Sequence, residues 1–177
     1  MTSAEQAAFA EPPSGLIRAD FVARFGGIYE HSPWVAERLW DSGLSGVHDR
    51  VAGLKVAMAA IVDGADRDVK MALIRTHPDL AGRLAIAGEL TAASTSEQAS
   101  AGLDQCTPEE LTRFKELNEA YKARFDFPFI MAVKDRSRQE ILAAFEARLG
   151  NSPEQEFGTA LAEIHKIAGL RLLDLAG

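Results

Sequence analysis

Apolar residues recur along this chain at three- and four-residue intervals, and runs of alternating β-branched residues are absent. Such spacing returns side chains to one face of an α-helix. The helix starts are well marked. Ser32-Pro33 places a cap residue before a proline at the first helical position, ahead of Trp34, Val35, Leu39 and Trp40, with Gly43 as the stop. Thr107-Pro108-Glu109-Glu110 is a capping box opening a stripe of Leu111, Phe114, Leu117 and Tyr121. Ser137 and Glu140 form another box before Ile141, Leu142, Phe145 and Leu149, and Gly150-Asn151 closes that helix. Ser152-Pro153-Glu154-Gln155 starts a last helix that runs to about Asp174. Between His48 and Thr76, the residues Leu54, Met58, Ile61, Val62, Val69, Leu73 and Ile74 predict one helix or two broken near Gly64. The pattern predicts an all-α, single-domain helical bundle of about seven or more helices over residues 16–177. Residues 1–15, Ala-rich and ending in Pro12-Pro13-Ser14-Gly15, read as a flexible N-terminal arm.

A chain of 177 residues with 47% apolar residues has enough material for one solid core. The net charge is −7, and no local cluster of Lys and Arg reverses it, which argues against a nucleic-acid partner. The only cysteine, Cys106, permits neither an intrachain disulfide nor a thiolate metal cluster, and reads as a small packing residue near a helix start. The N-terminus lacks the basic and apolar parts of a signal peptide, and no apolar run approaches the ~20 residues that span a bilayer. A cytoplasmic protein with no membrane partner is expected.

Three features resist a purely structural account. Each residue of a helix turns by about 100°, so Arg171 projects within roughly 40° of Phe157, Ala160, Ile164, Ile167 and Leu175. A guanidinium on that apolar stripe needs an internal ion pair, a route to solvent at the helix end, or a bound anion or polar ligand. In Thr76-His77-Pro78-Asp79-Leu80, Pro78 restricts His77 to extended backbone at a helix junction. There the imidazole either caps a helix end or points into a cleft, with an ordinary pKa near neutrality. In Ser94-Thr95-Ser96-Glu97-Gln98, Ser94 and Glu97 have capping-box spacing, and a helix start also offers free N–H groups to a polar ligand. The segment Phe125-Asp126-Phe127-Pro128-Phe129-Ile130-Met131-Ala132-Val133 reads as a buried connector whose amides could wall a pocket. His31, His48 and His165 lack metal-ligand spacing, and no phosphate loop or nucleophile elbow occurs.

These segments, in order, resemble the 2-oxo-4-hydroxy-4-carboxy-5-ureidoimidazoline (OHCU) decarboxylase family. The matching pieces are Tyr29-Glu30-His31-Ser32-Pro33-Trp34-Val35-Ala36, Thr76-His77-Pro78-Asp79-Leu80-Ala81-Gly82, and Ser94-Thr95-Ser96-Glu97-Gln98 with Ala101-Gly102-Leu103. They continue with Asn118-Glu119-Ala120-Tyr121, Phe127-Pro128-Phe129-Ile130, Arg148-Leu149-Gly150-Asn151, and residues 164–172 with Lys166-Ile167 and Arg171-Leu172. Asp126 stands where the family commonly has glycine, and residues 41–51 match poorly.

The resemblance implies an all-helical homodimer that needs no cofactor and no metal, acting on the small molecule OHCU to give (S)-allantoin. It implies His77 as the catalytic acid; Glu97 is expected as its catalytic partner, holding the substrate hydroxyl or ring N–H or fixing the His77 tautomer. It implies substrate contacts from Pro78, Ser94, Glu97, Gln98, Phe129, Ile130, Met131, Ala132, Val133 and Arg171. A non-catalytic helical binding module, or another acid–base enzyme of small molecules on the same scaffold, are the alternatives.

Overall fold

Reciprocal caps set the helix starts of the C-terminal half. In this computed structural model, which describes residues 7–78, 80 and 106–177, seven α-helices and no strand occur among the described residues. They are α1 (Arg18–Phe25), α2 (Trp34–Asp41), α3 (Val51–Asp63), α4 (Arg67–Thr76), α5 (Pro108–Phe125), α6 (Arg138–Arg148) and α7 (Pro153–Ala176). The Thr107 hydroxyl accepts from the Glu110 amide at 3.2 Å, while the Glu110 carboxylate accepts from the Thr107 amide at 3.0 Å. Ser137 and Glu140 repeat the exchange at 3.2 and 2.7 Å, as do Ser152 and Gln155 at 3.3 and 2.9 Å. Each such cap stabilises its helix by about 1 kcal/mol.

The apolar run after His48 is two helices, with Gly64 capping the end of α3, the second of the two arrangements its spacing allowed. One start differs in detail from the sequence pattern. The α2 helix opens at Trp34, with Pro33 in the cap position and no side-chain cap from Ser32. The reason is a tight turn just upstream. His31 has φ 53°, and the Ser32 amide donates to the Tyr29 carbonyl at 2.9 Å.

The chain groups into two compact units, residues 1–76 with 165–177, and residues 77–164. In the first, α2 packs on both α1 and α3, around Phe21, Phe25, Val35, Leu54 and Met58. A short 3-10 turn, Gly46–Asp49, lies against α3. Gly53 makes that approach possible, because a Cβ there would sit 1.9 Å from the Val47 carbonyl oxygen. Residues 7–15 lie on this unit. The Ala7 carbonyl accepts from the Val51 amide at 3.0 Å, Phe9 is buried against Phe25, and Ser14 binds the Asp49 carboxylate through its amide and hydroxyl, each at 2.9 Å.

The second unit is built on aromatics. Tyr121 meets the rings of Phe125, Phe127, Phe129 and Phe145. Phe129 stacks on Phe145 with centroids 3.6 Å apart. Asp126 ends α5 in the left-handed conformation, φ 61° and ψ 28°, its amide donating to the Lys122 carbonyl at 2.9 Å. That conformation is the one glycine adopts most freely, and aspartate is among the few other residues that enter it readily.

No helix among the described residues is long and apolar enough to cross a membrane. Among them, too, no cluster of His, Cys, Asp and Glu is arranged to hold a metal ion.

Candidate active site

His77 follows α4 directly. The Thr76 hydroxyl bonds back to the Leu73 carbonyl at 2.9 Å, closing the last turn, and Pro78 blocks its continuation. The imidazole is buried, at 6% exposure, and Pro78 is half-buried. Ser94, Glu97 and Gln98 lie outside the described residues.

Residues 129–133 run in irregular backbone between α5 and α6. Phe129, Ile130 and Val133 are buried, whereas Met131 and Ala132 are half-buried. This segment is held by polar side chains that its own sequence does not announce. Arg148 lays its guanidinium over the Phe129 ring, 4.3 Å from the centroid, and donates from Nη1 to the Ile130 carbonyl at 2.7 Å. Its other nitrogens meet Glu156, with Nε at 2.7 Å and Nη2 at 2.5 Å from Oε1. The fully buried Glu156 also accepts from the Tyr121 hydroxyl, and from Asn151 Nδ2 at 2.6 Å. Burial pushes the Tyr121 phenol far above its ordinary range, and the bond to Glu156 adds to the rise. Tyr121 is therefore a neutral donor to a buried carboxylate. The next peptide plane is held as well, the Ala132 amide donating to Glu163 Oε2 at 2.9 Å. That donor, expected to face substrate, is thus engaged by the protein in this structure.

Arg171 belongs to the first unit. Its Nη2 lies 3.0 Å from Glu30 Oε2, and Nη1 donates to the Ile28 carbonyl at 3.4 Å. Both side chains are buried, at 7% and 1% exposure, so the internal ion pair allowed by the sequence is present. Next to Glu30, Tyr29 bonds His165 Nδ1 at 2.7 Å, and His165 Nε2 faces Asp63 at 3.2 Å. An ionised Asp63 only accepts, which places the imidazole proton on Nε2 and leaves Nδ1 to accept from Tyr29. Burial, then Asp63, pushes the Tyr29 phenol far above its ordinary range, which suits that donor role.

The sequence profile of the OHCU decarboxylase family matches residues 14–173. The chain belongs to the OHCU decarboxylase family. The 2-oxo-4-hydroxy-4-carboxy-5-ureidoimidazoline decarboxylase of Haloferax volcanii is 48% identical over 154 residues, covering 87% of this chain and 88% of its own. The solved structure of an (S)-allantoin synthase superposes with a TM-score of 0.75 at 36% identity, over 92% of this chain, which spans 52% of the synthase chain. An OHCU decarboxylase crystallised in the presence of (S)-allantoin gives 0.63 at 25% identity, over 80% of this chain and 89% of its own.

For an OHCU decarboxylase family member, the sequence signals picked out His77, residues 129–133 and Arg171, but not the groups that hold them. Glu30, Tyr121, Arg148, Glu156 and Glu163 were missed as such. Arg148 was open to the argument applied to Arg171, since it lies within roughly 60° of Ile141 and Phe145 on its helix. For Glu156 and Glu163 the signal is weaker, because a glutamate on a helix is most often solvated.

Proposed function

We propose that this chain decarboxylates OHCU to (S)-allantoin and CO2 in urate breakdown, as a cytoplasmic homodimeric carboxy-lyase without a cofactor. The observation that supports it is the family match over residues 14–173, which takes in His77, residues 129–133 and Arg171. The chemistry fits a protein that supplies only position and protons. The substrate ring carries a carboxylate and a hydroxyl on one carbon, next to a C=N bond. When the bond to the carboxylate breaks, its electron pair forms a C=C bond and the C=N pair moves to nitrogen. The substrate carries its own electron sink, the task a cofactor performs in other decarboxylases. The nitrogen takes up a proton, the hydroxyl gives up its own as the carbon that lost CO2 becomes a carbonyl, and a proton reaches the former C=N carbon; the face that receives it sets the S configuration.

His77 is the general acid, held at the α4 end so that its imidazole has little rotational freedom. Glu97 binds the substrate hydroxyl or ring N–H, or fixes the His77 tautomer. Ser94, Gln98, Pro78 and the residues 129–133 hold the ureido and carbonyl groups. Arg171 carries a charge already balanced by Glu30, so its part is directed hydrogen bonding to an anionic substrate rather than net attraction.

The test is direct. Freshly generated OHCU loses its ultraviolet absorbance faster with protein present, and circular dichroism shows (S)-allantoin accumulating. His77→Asn folds and loses about a hundredfold or more in kcat. Wild-type protein that leaves the spontaneous decay unchanged would falsify the reading, and a fully active His77→Asn removes the acid role.

A further inference from the structure

Residues 129–133 are gripped at two successive peptide planes. The carbonyl of Ile130 is taken by Arg148 at 2.7 Å, and the amide of Ala132 by Glu163 at 2.9 Å. A trans peptide is planar, with its C=O and N–H pointing in opposite directions. The Ile130–Met131 plane therefore turns the Met131 N–H away from Arg148. The Met131–Ala132 plane likewise turns the Met131 C=O away from Glu163. Each polar group of Met131 thus faces away from the side chain that holds its own peptide plane, and Met131 is half-buried. A backbone donor and acceptor on one residue match the N–H and C=O of a urea or amide group.

We propose that Glu163 is a positioning residue for substrate binding: its hydrogen bond to the Ala132 amide, together with that of Arg148 to the Ile130 carbonyl, fixes the Met131 N–H and C=O as a paired donor and acceptor for the ureido group of the ligand. The inference rests on the reading above that residues 129–133 contact substrate. Glu163 acts through the backbone and touches no reacting atom. Arg148 is locked into the buried Glu156 network, so its removal disturbs much else. The Glu163 carboxylate is half-buried on α7, outside that network.

What matters is the acceptor oxygen, not the charge. Glu163→Ala removes the oxygen, Glu163→Gln keeps an oxygen at the same reach, and Glu163→Asp keeps the charge but withdraws it by one methylene. Three measurements are made on the full chain: amide hydrogen exchange at Ala132, the Kd of (S)-allantoin by calorimetry, and kcat and KM for OHCU. In Glu163→Ala, exchange at Ala132 speeds up, and Kd and KM both rise about tenfold, the loss of one hydrogen bond to a charged partner. The kcat falls less than KM rises, as expected when uniform binding is lost. Glu163→Gln stays within roughly threefold of wild type on every measure. Glu163→Asp follows Glu163→Ala.

The proposal is overturned if Glu163→Ala binds and turns over like wild type, or if Glu163→Gln falls as far as Glu163→Ala. Should Glu163→Ala fail to fold, the Gln and Asp variants decide, because a charge effect reverses their order. A wild-type protein that protects Ala132 through Glu163 but never turns over OHCU sinks the assigned reaction and leaves the peptide clamp standing.

Discussion

Arg171 and Arg148 sit on apolar stripes of their helices, one in each unit, and each ends on a buried glutamate. Their surroundings differ. Glu156 gathers Arg148, Tyr121 and Asn151, and Arg148 reaches on to the Ile130 carbonyl and the Phe129 ring. That cluster joins α5, α6, the start of α7 and an irregular segment, so it is a hub that shapes backbone. Glu30 and Arg171 are 141 residues apart, and their contact ties the last helix to the turn after α1. Removing two charges from water is costly, and neither pair survives on Coulomb attraction alone. The hub recovers the cost through hydrogen bonds to neutral donors and a carbonyl. The tie has the Ile28 carbonyl at a longer 3.4 Å. A buried arginine thus has at least two uses, and its helical position does not distinguish them.

The largest effect is expected at the hub. Arg148→Met leaves Glu156 buried without its cation, and such a loss destabilises by about 3–5 kcal/mol in urea unfolding. It also releases the Ile130 carbonyl, so any folded fraction should bind (S)-allantoin more weakly. A variant as stable as wild type would mean that Glu156 is protonated or hydrated in solution, and that the hub is dispensable. At the tie, Arg171→Met costs about 3 kcal/mol by the same reasoning. Here a second substitution sharpens the contrast. Glu30→Leu combined with Arg171→Met replaces the whole pair by apolar groups, and stability should return to within about 1 kcal/mol of wild type. If Arg171 also binds substrate, activity stays low in the stable double variant. Full activity in that protein would make the tie purely architectural.

How much of this was legible depended on whether a signal was local. The caps at Thr107, Ser137 and Ser152 are local exchanges between residues three apart, and they fall where the sequence put them. The stripe carrying Arg171 was equally readable, and it left an ion pair, a route to solvent and a ligand as alternatives, of which the pair is seen. The partner was not readable. Glu30 lies in a turn, where no periodicity marks a side chain as buried, and only the fold brings it to Arg171. The Ser32 cap failed for a related reason, since the left-handed His31 bends the chain before the helix can use the hydroxyl. The helix end just before His77 was legible through Pro78, a steric constraint between neighbours. The grip on residues 129–133 was not, because it comes from helices formed later in the chain.

The two tyrosines of the chain offer a smaller test, one in each unit. Burial raises both phenols above the ordinary value of 10.0. A group whose folded pKa lies above its unfolded one gives stability that is complete below the unfolded value and lost as pH rises toward the folded one. Tyrosinate absorbance should therefore stay absent near pH 10 and emerge together with alkaline unfolding. Tyr121→Phe removes a donor from Glu156 and should cost about 1–3 kcal/mol. Tyr29→Phe leaves His165 Nδ1 half-buried beside solvent, so its cost should be smaller. A phenol titrating reversibly near 10 in the folded protein would show that its pocket is wetter than its neighbours indicate.

The smallest effect concerns Asp126, where the backbone is left-handed. An L-residue other than glycine pays about 1–2 kcal/mol for that conformation, less for aspartate, while glycine gives back part of the gain through a freer unfolded chain. Asp126→Gly should therefore raise stability by between zero and about 1 kcal/mol. Asp126→Val, branched at Cβ, should lower it by about 1–2 kcal/mol. The turn also delivers Phe127, which stacks near Phe125 with centroids 6.0 Å apart, and leads into residues 129–133. If Asp126→Val raises the Kd for (S)-allantoin while Asp126→Gly does not, the backbone geometry of this turn reaches the segment beyond it. If both bind alike, the hub and Glu163 fix residues 129–133 without help from the end of α5.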